Sequence, residues 1–504
     1  MKRSQLLVLL FLFLIYLLYN FHNYISTNYQ VVAVYITNLI SLIVATSIIL
    51  GNKKIESKIA WTIFVLFVPV VGFLFYIILG LEYGRFKKYD KETLSEKDID
   101  KIVYGENIDK TYGIIEKLGK RAKIARLIDR LDNNPISDNN KVEILNNGDK
   151  KYQILLEELK KAKEFIHFEY FIIKEGIIFE QIKEILIKKA KEGIEVRLLY
   201  DDFGCIDLSK KVIKELEKNG IKTGCFNKIN FKLFRPSINY RNHRKIVVID
   251  NKVGFTGGIN IGDEYAHLDE YYGFWRDTHL LIRGSAVRDL NVIFIKDWYH
   301  TTGELLVDKK YIVECKEKGK KVPIQLVVDG PHNNVDVIRN TFVKLINEAE
   351  KRVWIATPYL ILDHELSSAL KIAAASGVDV RIIVPGLHDK GKKIVYKATE
   401  SFFHELLEYG VKIYKYSNLF MHSKVLIVDD DVASVGTANF DYRSFDLHFE
   451  VVAILYSKVE VQKLIEAYED DLIKCNQVMP EIWQKRSFSQ RIIESLVKIF
   501  SPLL

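Results

Sequence analysis

Cysteine is scarce in this 504-residue chain. Cys205, Cys225, Cys315 and Cys475 lie far apart, with no C-x-x-C among them. That spacing argues against a disulfide framework and a zinc site, and it fits a reducing compartment for the soluble part. A true P-loop is also missing. Gly386, Gly391 and Lys392 imitate G-x4-G-K, but Lys393 stands where magnesium would need Ser or Thr. The stretch reads instead as a basic loop near an anionic substrate. No aromatic-basic platform for single-stranded nucleic acid is evident. The excess of positive charge is modest, a net +8, which suits an anionic surface without choosing between lipid and nucleic acid. Neither half of the chain carries a metal-ligand cluster, so no metal and no cofactor are expected.

Apolar runs, by contrast, crowd the start. Residues 6–19, 31–50 and 59–81 are almost wholly apolar. The last two are long enough to cross a bilayer, and so is the first if residues 21–25 are included. Lys2 and Arg3 before the first run also suit a signal peptide, but no small-x-small cleavage site follows, so an uncleaved anchor is preferred. Lys53, Lys54 and Lys58 flank the third run on one side, and Arg85, Lys87 and Lys88 on the other. With Pro69 and Gly72 near its middle, that run is either a re-entrant hairpin or a span with one flank breaking the positive-inside tendency. Residues 82–140 turn charged and read as a helical connector with a solvated face.

Beyond the connector one pattern occurs twice, 179 residues apart. His243, Lys245 and Asp250 form H-x-K-x4-D, and so do His422, Lys424 and Asp429. Each copy continues to a glycine (Gly257, Gly436) and an asparagine (Asn260, Asn439) at the same offsets. The runs between Lys and Asp are β-branched and end at turn residues, so each motif is a strand entering a hairpin. Residues two apart share a strand face, which puts each histidine beside its lysine. A single strand histidine is usually a satisfied core residue. Two copies, each with a lysine that is costly to bury unpaired, point to a phosphate site instead. The motif residues His243, Lys245, Asp250, His422, Lys424 and Asp429 form the candidate catalytic set, with the aspartates read as holding the turns. Asn260, Asn439, Gly258 and Thr437 are candidate substrate-binding positions, since glycine lets the backbone approach a ligand. After each asparagine a strand opens at an acid, Asp277 and Glu450. A nucleophilic histidine needs its second nitrogen held by such an acceptor. His267, His332, His404 and His448 have no supporting partners and stay unassigned.

These residues resemble the signature of the phospholipase D superfamily. The segments 242–246, 257–265, 274–279, 357–359 and 436–446 are similar to the bacterial cardiolipin synthases within it. The resemblance runs over nearly the whole chain. Strand–helix alternation, with Gly193 and Gly377 opening matched strands and Gly220 and Gly410 closing matched helices, supports an internal duplication. The expected fold is α/β: two pseudo-symmetric phospholipase D-like lobes, mixed sheets flanked by helices, after a helical membrane region. Expected boundaries are 1–81 for the membrane region, 82–140 for the connector, 141–321 and 322–479 for the lobes, and 480–504 for a basic amphipathic helix. That last segment, with Trp483, Ile492, Ile493, Leu496 and Ile499 among basic residues, could lie in a bilayer interface or pack on the protein itself.

The resemblance implies a phosphatidyltransferase that turns two phosphatidylglycerol molecules into cardiolipin and glycerol, with His243 as nucleophile and His422 as acid/base. The pseudo-symmetry alone leaves those two roles interchangeable. It also implies the bacterial inner membrane, several crossings, lobes on the cytoplasmic side, a bilayer and an anionic phospholipid as partners, and no nucleic acid. A membrane-bound phospholipase D or nuclease of the same superfamily is the alternative. Nothing in the sequence bears on oligomeric state.

Overall fold

A computed structural model of the chain describes residues 27–51, 53–80, 98–104, 108–132, 135–228, 239–313, 315, 322–333, 335–389, 391–417 and 419–504. The first apolar run (6–19, with 21–25) and the basic flank Arg85, Lys87 and Lys88 lie outside the described residues. The chain divides into two compact units. Among the described residues, one comprises 27–51, 53–80 and 499–504, and the other the remainder.

In the first unit, α1 (Thr27–Leu50) contains a 22-residue apolar stretch, Tyr29–Leu50. At 1.5 Å per residue it is roughly 33 Å long, enough for a hydrocarbon core. Its apolar side chains Val31, Leu39, Leu42 and Ile43 are exposed, as on a lipid-facing helix. Its threonine hydroxyls donate to carbonyls one turn back, Thr37 to Ala33 at 2.7 Å and Thr46 to Leu42 at 2.8 Å. Those polar groups therefore need no water.

The third apolar run is not one helix. It splits into α2 (Ile55–Phe67) and α3 (Pro69–Phe75), with a π-helical turn at Tyr76–Gly80. Val68 leaves the helical region (φ −130°, ψ 68°), and Pro69 has no amide hydrogen to continue the ladder. The chain then doubles back, with Trp61 5.3 Å from Tyr76 and Phe64 6.0 Å from Phe75, ring to ring. In a continuous helix, Trp61 and Tyr76 would stand about 22 Å apart. Gly72 permits the close approach, because a Cβ there would lie 2.6 Å from the Phe64 carbonyl oxygen. Of the two readings left open for this run, its described part has the form of the hairpin, with arms each too short to cross a bilayer.

The second unit holds the duplication. The first seven-stranded sheet uses β1 (Asn140–Asn146), β2 (Phe165–Tyr170), β3 (Glu195–Asp201), β4 (Lys222–Phe226), β5 (Lys245–Ile249), β6 (Val253–Gly257) and β7 (Thr278–Gly284). The second sheet, ten-stranded with its short flanking strands, uses as its main seven β8 (Ile324–Asp329), β9 (Arg352–Ala356), β10 (Asp379–Pro385), β11 (Lys412–Tyr416), β12 (Val425–Val428), β13 (Val432–Gly436) and β14 (His448–Tyr456). Strand order is β1-β7-β6-β5-β2-β3-β4 in one and β8-β14-β13-β12-β9-β10-β11 in the other, position for position the same. Both sheets are mixed. β2, β3 and β4 pair parallel, and the β5–β6 motif hairpin joins antiparallel, as β12–β13 does in the second lobe. The glycine pairs mark equivalent helix ends: Gly193 and Gly377 sit at φ +85° and +92°, Gly220 and Gly410 both at +87°. No neighbour crowds a Cβ at any of the four, so the left-handed backbone alone selects glycine.

The lobes share one core. Ile246, Val248, Leu280 and Ile282 of the first sheet meet Ile427, Ala433, Val435 and Val451 of the second, with α4 (Ala286–Thr302) and α5 (Lys458–Ile473) packed between. The odd-numbered faces of β5 and β6 and the even-numbered face of β2 take no part in it. Val247, Ile249 and Phe255 instead bury a second core under the helices of the first lobe.

The connector departs from a solvated face. Ile136–Ser137 adds a strand to the edge of β8 in the second lobe, and Arg121 is only 3% exposed. At the other end, Trp483 packs on Phe403 of the second lobe (5.1 Å). The helix Phe488–Phe500 that follows buries none of its residues, and Phe488, Ile492, Ile493 and Leu496 are exposed.

Candidate active site

Both motif histidines sit just before a motif strand, and each is fixed by the other lobe. Arg241–Asn242 pairs in parallel with His448–Phe449 at the start of β14, and the His243 amide donates to the Phe449 carbonyl at 2.9 Å. Phe420–Met421 likewise pairs with Trp275–Arg276, and the His422 amide donates to the Arg276 carbonyl at 2.7 Å. The side chains follow the same exchange. His243 Nδ1 lies 2.9 and 3.0 Å from the two Glu450 oxygens, and His422 Nδ1 lies 2.6 Å from Asp277 Oδ2. Each candidate orienting acid therefore serves the histidine of the opposite lobe. A carboxylate on Nδ1 fixes the tautomer and leaves Nε2 available for chemistry.

The lysines stand beside their histidines as strand alternation requires. Lys245 Nζ donates to the His243 carbonyl and Lys424 Nζ to the His422 carbonyl, both at 2.5 Å. Burial pulls Lys245 down to about 7 and Lys424 to about 8, against the opposing pull of both Glu450 and Asp277. That each lysine feels both carboxylates, and Lys245 feels Lys424, makes this one site. Burial also pushes both imidazoles down, His422 to about 4 with help from Lys424, and His243 well below its ordinary value. For Glu450, burial alone would raise the carboxyl, but the His243 and His448 imidazoles outweigh it and hold it well below the usual range. The site is thus a buried array of two lysines, two carboxyl groups and two imidazoles that set one another's charge, suited to an anionic phosphodiester.

Several sequence assignments move. Asp250 and Asp429, counted in the catalytic set, do not face the histidines. Asp250 accepts from the amides of Lys163, Glu164 and Phe165 at 2.8, 2.8 and 2.9 Å, which pins the entry of β2. Asp429 does the same for Glu350, Lys351 and Arg352 ahead of β9, and also takes Arg121 Nη2 at 2.5 Å. Both aspartates sit at positive φ (+53° and +52°) in the hairpin turn, so the turn-holding reading stands and a chemical role is withdrawn.

Gly258 and Thr437, the other two candidate substrate-binding positions, lie against the carboxylates. A Cβ at Gly258 would lie 2.1 Å from Asp277 Oδ1, and the Thr437 hydroxyl donates to Glu450 Oε2 at 2.5 Å. The asparagine amides have partners too, Asn260 Nδ2 to the Tyr265 hydroxyl at 3.2 Å and Asn439 Nδ2 to Asp441 at 3.1 Å. The imitation P-loop closes on itself: Asp389 accepts from Tyr272 and Tyr359 and pairs with Lys392 at 2.7 Å.

Sequence reasoning missed one residue at the centre. The His448 ring lies 5.4 Å from His243, and its Nδ1 is 3.7 Å from Glu450 Oε1. Its position two before Glu450, on the same strand face, was the available signal. His243, His448 and Glu450 bring donor atoms within 4.8 Å of one another, a metal-capable grouping among the described residues. Glu450 already accepts from His243 and Thr437, so the cluster reads as a proton-holding one. Two buried ion pairs brace the site from behind, Arg244 with Asp297 at 2.6 Å and Arg276 with Asp471 at 2.7 Å. Arg244 and Arg276 adjoin His243 and Asp277 in sequence.

Two like lobes with swapped histidine–carboxylate pairs around buried lysines define a phospholipase D-type phosphodiester-transfer enzyme. The family model described as cardiolipin synthase, PLD-like domain, matches residues 155–298 and 342–472, and one described as phospholipase D-nuclease N-terminal matches 39–80. The cardiolipin synthase of Alkalihalophilus pseudofirmus is 42% identical over 90% of both chains, and that of Halalkalibacterium halodurans 42% over 91% of both. In fold, the chain is similar to the crystal structure of phosphatidylserine synthase from Haemophilus influenzae, which covers 75% of this chain and all of that one (TM-score 0.55, 17% identity). The chain belongs to the cardiolipin synthase family of phospholipase D-like phosphatidyltransferases.

Proposed function

We propose that the protein joins two phosphatidylglycerol molecules into cardiolipin with release of glycerol, through a phosphatidyl-histidine intermediate. The crossed histidine–carboxylate pairs carry this reading, because they supply two imidazoles oriented from opposite lobes toward one buried cationic pocket. A phosphate between Lys245 and Lys424 restores both ammonium charges and is held by them as negative charge builds on the pentacoordinate transition state. Asn260 and Asn439 complete the cradle through amides that at present donate to Tyr265 and Asp441.

His243 Nε2 attacks phosphorus as His422 gives a proton to the departing glycerol oxygen. His422 then takes the proton of the incoming phosphatidylglycerol hydroxyl, whose oxygen displaces His243. Two in-line displacements leave the configuration at phosphorus unchanged. One phosphodiester is exchanged for another, so no nucleotide is consumed.

The apolar helix α1 supports a membrane-anchored enzyme. Lobes facing the cytoplasm, with the hairpin over 55–80 entering and leaving from that side, agree with the basic residues Lys53, Lys54 and Lys58 before it. The exposed apolar face of Phe488–Phe500 is read as lying in the bilayer interface.

The test is detergent-purified protein with phosphatidylglycerol, chelator and no nucleotide. Cardiolipin and glycerol in equal amounts are expected. Phosphatidic acid as main product would make the protein a hydrolase. Use of cytidine-diphosphate-diacylglycerol in place of the second phosphatidylglycerol would overturn the donor assignment.

A further inference from the structure

The two halves of the site differ at one matched position. Trp275 and His448 each stand two residues before the orienting acid, each in the short parallel pairing that holds the opposite lobe's histidine. Trp275 lays its indole 5.0 Å from the His422 ring, and His448 lays an imidazole 5.4 Å from the His243 ring. Asp277 therefore has one imidazole in reach, and Glu450 has two.

A carboxylate with no solvent exposure needs a compensating positive charge close by. For Asp277, which is 0% exposed, the imidazole that can supply it is His422, with Lys424 Nζ 3.0 Å from the same ring nitrogen. For Glu450, also 0% exposed, the proton has a choice of ring. His448 Nδ1 is buried, has no hydrogen-bond partner among the described residues, and lies 3.7 Å from Glu450 Oε1, so a small rotation closes that contact.

The other groups around His448 leave this partnership intact. From the facing segment come His243 and Arg241, and the Arg241 guanidinium turns away to Asp201 and the Asn227 carbonyl. The ring beyond is Phe171, 6.4 Å from His448, with the Lys245 ammonium 5.5 Å from the centre of that ring. Thr437 binds the other Glu450 oxygen.

We propose that His448 is a positioning residue for the nucleophile: it carries the proton that compensates Glu450, so that His243 stays an unprotonated imidazole, while His422, beside Trp275, is left as the proton carrier. The matched sites become unlike through one side chain, and that difference assigns the roles which pseudo-symmetry leaves interchangeable. Consistent with this, the charge of His448 is among the influences that push His243 down. The proposal rests on the paired-histidine transfer reading.

The experiment follows cardiolipin formation by full-length enzyme on phosphatidylglycerol from about pH 4 to 8.5, for wild type, His448→Asn, His448→Gln and Trp275→His. Removing the imidazole sends the compensating proton to His243. The acid limb of kcat/KM in both His448 variants is therefore expected to move up by about one pH unit. Turnover would fall by up to about tenfold below the wild-type acid limb and change less than about twofold at pH 8. Trp275→His gives Asp277 a second imidazole, which should pull the alkaline limb down by a similar amount. An unmoved acid limb, or a loss equal at every pH, would overturn the proposal while leaving the transfer chemistry in place. Wild-type enzyme that makes no cardiolipin at any pH would overturn the transfer reading, and this proposal with it.

Discussion

The two lobes are the same construction with different supports. Both pin the entry of their second strand with a motif aspartate in a left-handed turn, and both give away their orienting acid to the other lobe. The first lobe's aspartate, Asp250, relies on three backbone amides. The second lobe's, Asp429, also grips Arg121, and through it the connector that extends the second sheet by a strand. Duplication supplied the geometry. Features of one lobe alone, the connector and His448, make the halves unequal, and inequality is what a two-step reaction with one nucleophile and one acid requires.

Substitutions at the histidines should produce the largest effects, and similar ones in the two lobes. His243→Ala and His422→Ala are each expected to lower cardiolipin turnover by at least about 10⁴-fold, because neither half can supply both attack and proton transfer. Substantial residual turnover in one variant alone would break the equivalence. The aspartates should separate the lobes by stability rather than rate. Asp429→Ala takes one of two carboxylates from the buried Arg121, which keeps Asp431 at 2.7 Å, and frees three amides, and is expected to cost about 2–4 kcal/mol. Asp250→Ala loses only the amide contacts and should cost about 1–3 kcal/mol. Thermal unfolding of the two variants measures the difference, and equal shifts would remove the connector from the account.

The exchanged acids test the crossing itself. Glu450→Gln and Asp277→Asn should each lower kcat about 10²-fold with KM little changed, since they hold imidazoles and not substrate. A smaller effect separates binding from chemistry through pH. Burial places Lys245 near 7 and Lys424 near 8, so each is protonated below its value and neutral above it. Phosphate binding favours the protonated forms, so affinity should be highest below about pH 7 and weaken as pH rises through 8. The KM for phosphatidylglycerol is expected to rise by up to about tenfold per pH unit in that range. A flat KM would mean the lysines keep their charge without the substrate.

Much of this was legible in the residues. Periodicity placed the motif strands, and the β-branched runs after Lys245 and Lys424 are β5 and β12. The matched glycines marked matched helix ends because left-handed backbone leaves a local trace. The acids Asp277 and Glu450 were found as strand-opening residues, but their exchange was not. His243 and Glu450 are 207 residues apart, and no local pattern records which lobe a side chain leans toward. Arg121 looked like one charge among many on a polar helix, since its burial depends on the distant Asp429. The apolar run over 59–81 had the composition of a span, and only Pro69 and Gly72 hinted at the reversal that packs Trp61 against Tyr76. His448 was passed over because a lone histidine carries no pattern, although its place two before Glu450 put it on the acid's face.

The central claim is that both lobes act on a single phosphorus atom, with one histidine taking it. The most direct measurement uses the p-nitrophenyl ester of phosphatidic acid, whose leaving group needs no proton, followed by alkaline quenching and counting of phosphatidyl groups per chain. One group per chain is predicted, on His243, surviving in His422→Ala and absent from His243→Ala. Two groups per chain, or labelling of both histidines, would show two separate sites and contradict the account.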